Sequence, residues 1–122
     1  MGKKKATAKG GADSTVLENI QRHYQYLEDH FNELNAACAT DEQRDALRRD
    51  YLNAHKVYLA AYDAVINEDD QHVEDLNEEI SSAQSDIEGM EIDEENVAKI
   101  LDTVTGIVRT ASSLLALAGV VA

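Results

Sequence analysis

The sequence predicts an all-α fold: an antiparallel coiled-coil or helical bundle of three long helices, or of four if residues 67–70 break the middle one. The first observation behind this is a seam of residues spaced alternately by three and four. It runs through Leu17, Ile20, Tyr24, Leu27, Phe31, Leu34 and Cys38, and again through Leu52, His55, Leu59, Tyr62, Ile66, Asp69, Val73, Leu76, Ile80, Ala83, Ile87 and Met90. It returns in Val97, Ile100, Val104, Ile107, Ala111, Leu114, Ala118 and Val121. Side chains at that spacing share one face of an α-helix, and several heptads of it specify helix-on-helix packing. The second observation is the absence of proline, which leaves long helices uninterrupted. The third is a thin supply of large core residues, with one Phe and no Trp in 122 residues. Elongated hairpins need only an apolar stripe, where a compact globule needs a thick interior.

Residues 1–12, MGKKKATAKGGA, hold four lysines and no acid, and read as a disordered basic tail before a single helical domain over 13–122. The first helix is expected at about 15–39, roughly 37 Å of rise. Thr15 and Glu18 form its capping box, each side chain meeting a free backbone N–H. Thr40 and Gln43 repeat that signature, so a tight turn near residues 39–41 sets an antiparallel neighbour. The second helix is expected over about 41–88. Its doubtful point is Asn67-Glu68-Asp69-Asp70, but the seam passes through without gaining or losing a residue, which favours one continuous or mildly bent helix. Gly89 suits a left-handed C′ position ending it. Asp93 is the expected cap of a last helix over about 93–120, with Glu94 and Glu95 near its positive dipole end. The first helix then folds back on the first half of the middle helix, and the last on its second half.

Stripe width separates these halves. Tyr51, Tyr58 and Val65 widen the face of Leu52, Leu59 and Ile66, with Ala54 and Ala61 between them. Val73, Leu76, Ile80, Ala83 and Ile87 form a narrow stripe flanked by acids. A narrow stripe serves one neighbour and a wide one serves more. The last helix is wide again, with Leu101, Val108, Leu115 and Ala122 beside its seam. Packed only on the narrow half-helix, it would leave apolar surface in water, so a four-helix bundle, an oligomer, a partner protein or a membrane is expected to cover it. The candidate interface or membrane residues are therefore Ile100, Leu101, Val104, Ile107, Val108, Ala111, Leu114, Leu115, Ala118 and Val121. From Thr110 to Ala122 no charge appears, but these 13 residues fall short of the ~20 that span a bilayer.

Charge narrows the partners. The net charge is −13, and Glu68 to Glu95 holds thirteen acids without a Lys or Arg. Phosphate backbones need a basic surface, so nucleic acid is not expected as a main partner. Cys38 is the only cysteine and excludes an intrachain disulfide. No apolar stretch follows the N-terminal lysines, so the chain is expected in the cytoplasm, or exported without a cleavable signal peptide.

Catalytic signatures are missing. No Glu-x-x-His pair supplies a di-iron bundle. Asp69 with His72 gives two ligands, where a metal site needs more. The carboxylates around Gly89 lack EF-hand spacing, and no phosphate loop, nucleophile elbow or paired-Cys motif occurs. No catalytic residue, cofactor or metal is expected, and the chain is not expected to be an enzyme. The leading expectation is a helical interaction or assembly protein that binds itself, as a homo-oligomer, or a protein partner through its C-terminal helix. The alternative is a membrane-active protein whose C-terminal helix inserts after release. A third reading has the acidic run capturing a basic partner.

Overall fold

The computed structural model describes residues 14–119. The expected basic tail and Val121 lie outside them. Four helices follow in order: α1 (Val16–Ala37), α2 (Asp41–Asp63), α3 (Gln71–Glu88) and α4 (Val97–Leu117).

Both capping boxes form. Thr15 Oγ1 accepts from the Glu18 N–H at 3.1 Å while Glu18 accepts from the Thr15 N–H at 2.8 Å. Thr40 and Gln43 exchange the same pair at the start of α2. Arg44 closes the α1–α2 turn by donating to the Cys38 carbonyl at 3.1 Å, satisfying a carbonyl that the helix end leaves free.

The expected continuous helix over 41–88 does not form. α2 stops at Asp63, Ala64 is extended, and α3 starts at Gln71. Cap chemistry outweighs heptad phase. Asp70 accepts from the N–H groups of His72 and Val73 at the start of α3. Asn67 accepts from the Asp69 N–H. Glu68 reaches across to the start of α1, accepting from the Val16 N–H at 3.2 Å. The acidic tetrad is thus a junction that caps two helices, with Asp69 exposed. Two smaller expectations also change. Gly89 ends α3 at φ −85°, in the right-handed region, and the left-handed glycine is Gly119 at φ +84° after α4. Asp93 caps a single turn, accepting from the Asn96 N–H at 2.8 Å, and the regular helix begins at Val97.

The helices assemble as two antiparallel hairpins, α1–α2 and α3–α4, laid side by side. Tyr24 against Tyr58 and Phe31 against Tyr51 set the first. Asn19 with Asn77 and Arg22 with Glu88 place α1 beside α3, running parallel. Thr105 donating to Asp50, with Glu42 and Ala46 beside Ala98 and Leu101, places α4 beside α2, also parallel. The core lies on the bundle axis and draws most from α4, whose Val97, Ile100, Val104, Ile107, Leu114 and Leu115 are fully buried against Leu27, Leu34, Leu47, Ile80 and Ile87.

Candidate functional site

The structure places the sequence-predicted interface inside the chain's own fold. Ile100, Leu101, Val104, Ile107, Val108, Ala111, Leu114 and Leu115 are buried, and Ala118 is half-buried. The wide face of α4 packs mainly on α2 and α3 and also touches α1, because the break at residues 64–70 lets both hairpins share it.

Most of the exposed large apolar side chains among the described residues are on α2, with Leu117 near the end of α4 also 51% exposed. α2 carries two stripes at heptad spacing. Leu47, Asp50, Ala54, Val57 and Ala61 face the core, and Leu52, His55, Leu59 and Tyr62 face out. Leu52 is 58% exposed, Leu59 49%, Tyr62 65% and Val65, just past the helix, 94%. The small Ala54 and Ala61 let α2 lie close to α4, which needs only a shallow contact because α4 brings the large side chains. The larger residues of α2 are left on the outer side. Asp50 pins the inner stripe by accepting from Thr105, and burial pushes its carboxyl above the usual range.

An aromatic cluster borders the outer stripe. Tyr24 stacks on His55 with centroids 5.0 Å apart and on Tyr58 at 5.6 Å. Tyr51 lies against Tyr24 and edge-on to Phe31, and Tyr62 tilts against Tyr58. These contacts tie α1 to α2 along this flank. The face is also the least acidic one among the helices that carry acids in number. α2 has Arg44, Arg48, Arg49 and Lys56 against five acids, while α3 has six acids and no base. Arg44 pairs with Asp41 at 3.0 Å and Arg48 with Asp45 at 3.2 Å. Both pairs are exposed and contribute little stability.

A second region is polar and closed. Between α1 and α3 the side chains of Asn19, His23, Asn77, Ser81 and Gln84 are buried. Asn19 donates to Asn77 at 2.9 Å, and His23 Nδ1 lies 2.8 Å from Gln84 Oε1, placing its proton there. Gln84 in turn donates to Glu88, which Arg22 grips through two nitrogens at 2.8 and 2.9 Å. Arg22 holds the Glu88 carboxyl below its ordinary range. His23 Nε2, Asn19 Oδ1, Tyr26 Oη and Ser81 Oγ have no hydrogen-bond partner among the described residues. Burial pushes the His23 ring down to about 4, so it is neutral at physiological pH.

Among the described residues, no three His, Cys, Asp or Glu side chains converge as metal ligands. Cys38 is buried, its Sγ donates to the Leu34 carbonyl, and burial raises its thiol, the opposite of what a nucleophile needs.

Sequence reasoning found the width of the α2 face but not its orientation. The three-four spacing of Leu52, His55, Leu59 and Tyr62 predicts an inward seam, and the structure turns these residues outward. The usable signal was the second stripe of small residues, Ala54, Val57 and Ala61, which offers a close-packing alternative. No protein-family model matches the chain, and no curated protein or solved structure matches it either.

Proposed function

We propose that the chain is a non-catalytic helical interaction protein that docks through the outer face of α2 by coiled-coil-type packing. One observation supports this most. Leu52, Leu59 and Tyr62 stand in water at heptad spacing, on a bundle whose α4 seam is enclosed. Helix-in-groove partners use such i, i+3, i+7 anchors. An exposed apolar strip bordered by stacked aromatics has the composition of an interface centre, where Tyr is favoured.

Site-specific photo-crosslinking tests it. A benzophenone amino acid at Leu59 should yield protein adducts in the source cells, while the same group at the exposed Glu78 of α3 should not. Equal yields, or none at Leu59, would count against the docking role.

A second reading has one specific support. α4 is the one described helix long and apolar enough to cross a membrane by length and composition. In this reading α4 leaves the core and inserts. Leakage of anionic liposomes that depends on residues 104–122 would favour it, and intact liposomes under acidic and neutral conditions would end it.

A further inference from the structure

We infer that the occupant of the α2 face is a second copy of this chain, bound through an antiparallel α2–α2 contact about a two-fold axis passing near Lys56 and Leu59. This rests on the docking role assigned to α2 above.

The heptad spacing of Leu52, His55, Leu59 and Tyr62 suits a helix as the opposing surface. The charges choose which helix and which way it runs. Arg49 stands beside the first end of the stripe and Asp63 at the other, while Arg48 is already paired with Asp45. An antiparallel copy brings Arg49 of each α2 to Asp63 of the other, twice by symmetry. It also sets Leu52 against Tyr62 and His55 against Leu59 of the opposite copy. A parallel copy would set Arg49 against itself and Asp63 against itself, which is repulsive at both ends. The pattern is self-complementary in one direction only, as an isologous two-fold contact requires.

Long-range charge leads to the same face. Two chains of net charge −13 repel one another. Among α1, α2 and α3 they approach at least cost through α2, with four bases against five acids, and at greatest cost through α3, with six acids and no base. Lys56 meets its own copy near the axis. Its stem can extend to water, but the like charges weaken the contact. The stripe from Leu52 to Val65 is only about 20 Å long, so the dimer belongs to the small, reversible class of interfaces.

Sedimentation equilibrium of the full chain tests this, with spin-label distances for direction. The expected result is a reversible step from 13.4 kDa to twice that mass as concentration rises. Leu59→Asp should weaken the dimer about tenfold or more without changing the helical spectrum. Leu52→Gln with Leu59→Gln is the milder check should the aspartate disturb folding. Lys56→Gln should strengthen the dimer. Arg49→Glu should weaken it, and Asp63→Arg added to that change should restore it. In a Cys38→Ala background, labels at Arg48→Cys should lie roughly 30 Å apart across the dimer and at Asp63→Cys roughly 20 Å. A parallel pair would give about 10 Å at both sites. A monomer up to about 1 mM, parallel distances, or a dimer indifferent to the α2 changes would each overturn the inference. Photo-adducts from Leu59 to a different protein, with the purified chain monomeric, would sink the self-contact and leave the docking role standing.

Discussion

α4 and α2 both carry wide apolar faces, yet the fold uses them in opposite ways. α4 buries Ile100, Val104, Ile107, Leu114 and Leu115, and it is the helix whose sequence looks most like an interface or a membrane segment. α2 gives the core Ala54, Val57 and Ala61 and leaves Leu52, Leu59 and Tyr62 outside. The difference teaches that the total hydrophobicity of a helix does not tell how much of its apolar surface is left in water. A helix with large residues needs neighbours that come close, and small residues permit close approach. Once α4 fills the interior, α2 packs best by its small side, and its leucines become the surplus.

The comparison breaks first in the core. Leu114→Ala should cost about 2–5 kcal/mol of unfolding free energy, read from urea denaturation, because a fully buried leucine leaves a cavity as well as a transfer loss. A cost as small as that of a surface site would mean that α4 is not the centre of the bundle.

The polar side of the core is expected to respond to acid. The His23 ring titrates near 4 in the fold and near 6.5 when unfolded. Between those values the unfolded chain binds the extra proton, so stability is full above about pH 6.5 and falls as pH drops toward 4. The loss amounts to roughly 3 kcal/mol. His23→Gln should remove that slope, measured as the difference between the two stability curves across this range. Parallel curves would show that the ring is not held neutral in the fold.

At the junction, Asp70→Ala should cost about 1 kcal/mol by freeing the His72 and Val73 N–H groups. A Tm unchanged by that substitution would show that the start of α3 is held by packing alone. The smallest effect is the mirror of the first. Leu59→Ser should change stability by about 0.5 kcal/mol or less, measured at a concentration where the chain is monomeric, since its environment is half solvent already. A loss as large as that for Leu114→Ala would erase the distinction between the two helices.

Much of the local structure was legible from residues. Thr15 with Glu18 and Thr40 with Gln43 marked helix starts because capping is a contact between residues three apart. The all-helical class followed from spacing and the lack of proline. The break between α2 and α3 was misjudged for a physical reason. Asn67, Glu68, Asp69 and Asp70 are compatible with a helix surface and with a cap, and Glu68 decides by bonding to Val16, a residue far away in sequence. The buried polar seam of Asn19, His23, Asn77 and Gln84 was equally hidden, since each member looks like an ordinary flanking residue until α1 and α3 are set parallel.

By itself, the sequence determined what short-range physics controls: where helices start, which residues share a face, and that the fold is all-α. Only the tertiary structure decided which of two α2 stripes meets the core, and that α4 is enclosed. Those choices depend on how four helices share a limited interior. Periodicity ranks the faces of one helix, but the closeness of its neighbours decides which face they cover.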